Sequence, residues 1–260
     1  MSYKIWSFLL LTTILLLSWW WLFRKKSTRP VDNFPDLWKS ILQEKVRFYR
    51  NLNPAEKIRF EQSVARFLSQ VTITGIKIEV DDTDRLLVAS SAVIPLFGFP
   101  GWEYRNLNEV LLYGGNFNPD FENHHHVANN TLGMVGSGAM HRMMILSKPS
   151  LHRGFSDQHS KHNVGIHEFV HLLDKADGEI DGIPEIFFKE PYIIPWIKLV
   201  QKEIKKIKTE DSDIDPYGAT NESEFLGVIS EYFFNQPLLF KKKHPDLYQT
   251  LSKIFNQPMP

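Results

Sequence analysis

Ten residues near the middle of the sequence, Val164 to Leu173 (Val-Gly-Ile-His-Glu-Phe-Val-His-Leu-Leu), hold its most specific chemistry. His167 and His171 are four apart, so on a helix both imidazoles project from one face, one turn apart, where together they can grip one zinc ion. Glu168 points beside that face, in reach of water on such a metal. Taking a proton from that water would make the segment the helical half of a hydrolytic site. Apart from the two histidines and the glutamate, the ten residues are uncharged and mostly apolar. That composition predicts a helix buried on its flanks, with its polar groups turned into a cleft.

Two histidines leave a catalytic zinc short of a third protein ligand, with one position kept open for water. The segment Asn221-Glu-Ser-Glu-Phe-Leu-Gly-Val-Ile-Ser-Glu-Tyr-Phe-Phe234 reads as a helix with a buried apolar side that nonetheless carries Glu224 and Glu231. Seven residues place these carboxylates on one face, where a dry surface demands a cation or a hydrogen-bonding partner for each. Glu224, near the helix start, is the expected third ligand, and Glu231 is expected to hold a ligand histidine from behind. Glu222, Asp174 and His244 are its rivals. Asp174, one turn after His171, is expected either to support a ligand or to finish the helix.

Other elements must position these groups. The motif helix is predicted to start near Gln158 to Ser160 and to run to about Ala176, with Gly178 as its stop. Before it, Leu37 to Tyr49 keeps helical spacing, and Asn53-Pro-Ala-Glu56 has the form of a capping box at a second helix start. Ile76 to Val80 alternates as a strand does, Asp84 to Ile94 suits a buried helix stopped by Pro95, and Glu109 to Tyr113 reads as a strand. Met143 to Leu146 is a further strand, expected by analogy with zinc peptidases to flank the cleft and pair with an extended substrate. His124 to His126, in a Gly- and Asn-rich stretch, reads as a solvated loop. Asp177 to Gly182 resembles a calcium loop only faintly, since Phe188 stands where that loop needs a glutamate. Tyr192 to Lys208 is predicted to be a helix with a lysine-rich solvated face, and Leu238 to Pro260 a terminal helix.

The whole chain, 260 residues with 43% hydrophobic content, can support a packed core. Its 30 basic and 30 acidic residues cancel, and no basic stripe interleaved with aromatics marks a nucleic-acid surface. Cysteine is absent, so a metal here must be held by histidine and carboxylate. Residues 5 to 23 form an uncharged apolar run with Trp6 at one end and Trp19, Trp20 and Trp21 at the other. As a helix it reaches across a bilayer's hydrocarbon core. Arg24, Lys25 and Lys26 follow directly without a cleavage site, which favours an uncleaved anchor over a signal peptide. These charges and Arg29, against Lys4 alone before the span, place the bulk of the protein in the cytoplasm. The expected organisation is an anchor within residues 1–26, a linker over 27–33 and one domain over 34–260.

Three segments in order, His167 to Asp174, Ile214 to Ala219 and Ser223 to Phe234, resemble the Mlc titration factor A family of bacterial zinc peptidases. The likeness spans most of the chain from about Phe34 onward. It implies an α+β, zincin-like domain of the gluzincin type, with a small mixed sheet packed on helices and a core similar to that of anthrax lethal factor. Carried over, it implies one zinc per chain on His167, His171 and Glu224, a catalytic Glu168 and an active-site tyrosine at Tyr217. It further implies aminopeptidase-like action on small peptides and, in some members, binding to a transcription repressor. Together with the anchor, the family points to the bacterial inner membrane.

Overall fold

The computed structural model describes residues 34–115, 133–135, 142–157, 159–184, 187 and 193–257. The expected span over residues 5–23, the linker over 27–33 and the His124 to His126 run lie outside these. Among the described residues no helix is long and apolar enough to cross a membrane.

Local signals set most of the elements. The periodicity from Leu37 onward folds as two helices, α1 (Asp36–Lys45) and α2 (Arg47–Asn51), because Val46 between them is extended. α3 (Pro54–Gln70) begins as expected: the Asn53 side chain accepts from the Glu56 N–H, and the Glu56 carboxylate accepts from the Asn53 N–H. β1 is Thr72–Ile76, earlier in the chain than the alternation of Ile76 to Val80 predicts. Lys77, at φ 58°, turns the chain out of the pleat at that point. α4 (Asp82–Leu96) opens on a second capping box, Asp81 with Asp84, and keeps Pro95 inside its last turn rather than stopping before it. Pro95 withholds a donor from the Ser91 carbonyl one turn back, and the helix ends one residue later.

β2 (Glu109–Tyr113), β3 (Gly133–Val135) and β4 (Met143–Ser147) complete a four-stranded sheet of order β1-β2-β4-β3. β1, β2 and β4 are parallel, and β3 runs antiparallel to β4. The mixed sheet against helices is the α+β arrangement expected. β4, however, is an interior strand with both edges paired, so its backbone cannot take an added peptide, and the edge belongs to β3.

After α5 (Lys148–Ser156), the motif helix α6 covers Val164–Asp174, shorter at its start than predicted. Asn163 is the reason: its side chain accepts from the Ile166 N–H and caps the helix there. A 3₁₀ turn over Lys175–Asp177 ends at Gly178, the stop the sequence signals. α7 (Ile193–Lys208) and α8 (Glu222–Asn235) follow. The expected single terminal helix is two, α9 (Pro237–Lys243) and α10 (Pro245–Ile254), because Pro245 cannot donate into a continuing helix. Residues 165–174 of α6 and 225–234 of α8 are all buried, so the two helices form the centre of the domain.

The chain before α8 is tied down by Asp213. Its carboxylate accepts from Lys161 Nζ at 2.6 Å, Lys243 Nζ at 2.9 Å, Tyr232 Oη at 2.9 Å and contacts His244 Nε2 at 2.7 Å. Partial burial pushes this acid up, but the four hydrogen bonds outweigh it and hold it well below the usual carboxylate range. A carboxyl depressed in the folded state stabilises fully above its unfolded pKa of about 3.9 and loses that contribution as pH falls through the folded value. Asp213→Asn is therefore expected to unfold at lower urea than the parent at pH 7, with the gap closing as pH falls from about 4.5 towards 2. A gap that stays constant over that range would refute the role.

Candidate metal centre

The sequence brings three side chains to one point. His167 and His171 extend from adjacent turns of α6, and Glu224 comes from the first turn of α8. His167 Nε2 lies 3.0 Å from His171 Nε2 and 2.9 Å from Glu224 Oε2, and His171 Nε2 lies 3.4 Å from the same oxygen. These atoms all lie within 4.8 Å of one another and could hold a metal ion. A tetrahedral ion with bonds of about 2.0–2.1 Å to imidazole and carboxylate needs donors about 3.3 Å apart, close to the spacing seen. Two imidazole nitrogens and one carboxylate oxygen, all converging on one point, are a donor set that fits such an ion.

α8 grips His167 at both ends of the ring. Glu231 Oε1 is 2.6 Å from Nδ1, and Glu224 is on Nε2. Between them Gly227 lets the helix lie flat against the imidazole, since a Cβ there would come within 2.6 Å of His167 Cε1. Burial works against a charged ring, but the two glutamates outweigh it and raise the imidazolium's pKa well above the ordinary value. Surroundings that favour a proton on Nε2 favour a metal cation in its place. Burial pushes the Glu224 carboxyl up, yet hydrogen bonds and charge from the two histidines win and hold it far below its usual range.

His171 is held differently. Its Nδ1 meets Ser223 Oγ at 3.0 Å, and that hydroxyl in turn meets Asp174 Oδ2 at 3.1 Å. Asp174 also accepts from the Gly182 N–H, and burial raises its pKa to about 6. Asp174 thus supports a histidine, as one of the two expected roles has it, but does so through Ser223. Of the other rivals for third ligand, Glu222 is solvent-exposed and His244 sits on Asp213.

Glu168 is only 6% exposed and lies among His167, His171, Glu224 and Glu231. Burial raises its pKa, which makes the carboxylate a stronger base than one in water. Tyr217 belongs to a 3₁₀ turn, Pro216–Ala219, started by the Asp215 side chain accepting from the Tyr217 N–H. Its ring centre is 6.1 Å from that of His167, and the residue is 54% exposed, so it faces an opening instead of the core. Burial of its hydroxyl end and the charges of Glu224 and Glu168 push the phenol well above its usual pKa, keeping it a donor.

Ser223 and Gly227 carry no role in the motif reading. Gly227 had a signal: a glycine inside an apolar helix costs about 1 kcal/mol relative to alanine and so implies a packing reason. Ser223 had none, because its function depends on where α8 meets His171.

A helix-rich α+β domain in which one helix gives two histidines and another a glutamate defines a candidate metal centre of the metallopeptidase class. Residues 19–256 match the family described as glucose-regulated metallo-peptidase M90, and the chain belongs to that family. It is 28% identical over 248 residues to Mlc titration factor A of Escherichia fergusonii, covering 90% of each chain. Mlc titration factor A of Klebsiella pneumoniae is 27% identical over 220 residues, 80% of this chain and 81% of the relative. An uncharacterized Synechocystis protein, slr2042, is 28% identical over 233 residues, 85% of this chain and 84% of its own. The family resemblance read from the three segments is thereby established.

Gly227→Ala gives a direct check on the geometry. Alanine favours a helix over glycine by about 1 kcal/mol, so α8 is expected to keep its helical content while the new methyl displaces the His167 ring. Isothermal titration with zinc is expected to show binding weakened by at least about tenfold. Unchanged affinity would mean that the ring has no part in holding the ion.

Proposed function

We propose that the chain is a zinc-dependent metallopeptidase with a zincin-like, gluzincin-type domain over residues 34–260. The convergence of His167, His171 and Glu224, with Glu168 buried beside them, is the observation that carries the reading. Zinc held by these three residues would supply Lewis acidity, lowering the pKa of nearby water to about 7 and polarising a peptide carbonyl. Glu168 accepts that proton as the water oxygen bonds to the carbonyl carbon, and returns it to the amine nitrogen as the C–N bond breaks. Tyr217 donates its phenolic hydrogen to the carbonyl oxygen as charge develops there. Glu231 keeps His167 in the tautomer protonated at Nδ1, leaving Nε2 for the metal, and Asp174 orients His171 through Ser223.

The family resemblance supports an aminopeptidase-like action on small peptides. The apolar run over residues 5–23 and the positive charges after it support a single-pass anchor in the bacterial inner membrane, with residues 27–33 as tether and the catalytic domain in the cytoplasm. The name of the relatives, Mlc titration factor A, favours a second reading in which the domain binds a transcription repressor at the membrane and turns over little or no substrate.

Hydrolysis of chromogenic amino-acid amides separates the two. Glu168→Gln is expected to retain one zinc per chain and to lose activity by about 10² to 10⁴, the scale of a general base. Tyr217→Phe is expected to lower kcat by about a hundredfold, the effect of removing one oxyanion donor. Turnover that is absent or indifferent to chelator, with capture of the repressor intact, would replace the enzyme by the binding protein.

A further inference from the structure

On the side of α6 away from the histidines lies a cleft that the metal centre does not use. One wall is a polar stripe of α3, Arg59, Ser63, Arg66 and Gln70, whose spacing puts them on one helix face. The opposite wall is aromatic, with Phe97 at the end of α4 and Trp102 in the loop after it. Phe67 and Tyr104 make the floor. The space between, about 530 Å³ with its open mouth included, is a shallow surface cleft and not an enclosed pocket.

The floor is rigid. The Phe67 and Tyr104 rings pack edge-on against one another and against Phe169 of α6, with centroids 5.2 to 6.3 Å apart. Tyr104 Oη also donates to the Ala92 carbonyl at 3.0 Å, which fixes the ring from its far end.

The arginines supply the charge. On a solvated helix face an acid one turn away can pair with an arginine. Glu56, the acid one turn before Arg59, is engaged on the Asn53 N–H, and no acid stands one turn from Arg66 on either side. Among the described residues neither guanidinium has a carboxylate within ion-pair distance. Arg59 instead lies over Phe97, 3.9 Å from the ring centre, so its edge is presented to the cleft. Glu103, an exposed lining residue, is one acid against two arginines, and the cleft stays net positive.

We propose that this cleft docks a short acidic segment of a partner protein, with carboxylates on Arg59 and Arg66 and an apolar side chain against the half-buried Trp102 at the rim. Seven residues of helix set the two arginine backbones about 10 Å apart, a spacing that two carboxylates on about three residues of extended peptide can match one to one. Arginine's planar fork suits carboxylates, and a flat aromatic wall beside it suits an apolar anchor. The proposal does not rest on the metal-site reading, since neither arginine takes part in it.

The test is fluorescence anisotropy of a short fluorescein-labelled peptide alternating glutamate and phenylalanine, with the full chain at low salt. Saturable binding is expected, weakened at least about tenfold by Arg66→Glu and by Arg59→Glu. Arg66→Gln, a milder change, is expected to weaken it in the same direction with thermal melting unchanged. Zinc affinity and amide hydrolysis are expected to be unaffected in all three. Equal binding of a lysine and phenylalanine peptide, equal binding by the variants, or displacement by inorganic phosphate or oligothymidylate at lower concentration than by unlabelled peptide would overturn the proposal.

Discussion

A single buried imidazole held between two carboxylates sets the geometry of this domain. His167 is 7% exposed, and each of its nitrogens faces a glutamate of the same helix, one near the start and one two turns on. Each group alone would be costly to bury. Together they are satisfied, and removing one partner from such a buried charged set costs about 3–5 kcal/mol. The pairing therefore fixes the register of α8 on α6. A shift of α8 by one residue would swing both carboxylates about 100° away from the ring and bring a side chain onto the place Gly227 leaves empty.

The neighbouring contacts serve the same register. Glu231 accepts through its second oxygen from the backbone N–H of Asn163, the residue whose side chain caps α6, so one carboxylate holds both the ring and the start of its helix. Asn221 caps α8 by accepting from the Glu224 N–H, which places Glu224 in the first turn, where the helix dipole favours negative charge. Aromatic packing supplies the backing. Phe169 is locked by Phe67 and Tyr104 behind α6, while Phe225 meets Trp196 behind α8. Each ligand helix thus has a polar face towards its partner and an apolar face in the core.

What could be read from the sequence follows from how local each feature is. His167, Glu168 and His171 lie within one helical turn, so spacing alone brings them together. The Asn53 capping box is equally local, and it formed as expected. Glu224 and Glu231 were legible because two acids seven apart on an apolar helix need an explanation. Errors arose where tertiary contacts overrode pattern. The alternation of Ile76 to Val80 resembles a strand, yet β1 is the preceding segment, because Thr72 to Ile76 is what aligns with Glu109 to Tyr113. α6 starts later than the pattern suggests because nothing near Gln158 in the sequence reveals that Asn163 is pinned by Glu231. The place of β4 inside the sheet was equally hidden, since order in a sheet depends on long-range pairing and β3 is only three residues long.

The two histidines differ in a way that the spacing of the motif cannot express. His167 has a carboxylate directly on Nδ1, whereas His171 has the hydroxyl of Ser223, with Asp174 one bond further out. A direct carboxylate makes an imidazole a stronger donor than a neutral hydroxyl does, because charge-assisted hydrogen bonds are roughly twice as strong as neutral ones. Placing Asp174 behind the hydroxyl polarises it and recovers part of that difference. It also keeps a third negative charge off the centre, where Glu224 and Glu231 already oppose the ionisation of Glu168. Since Ser223 adjoins Glu224 in the chain, the same turn of α8 that presents the glutamate also orients His171. Both histidines are then referenced to one helix, whose register on α6 sets the spacing of all three donors.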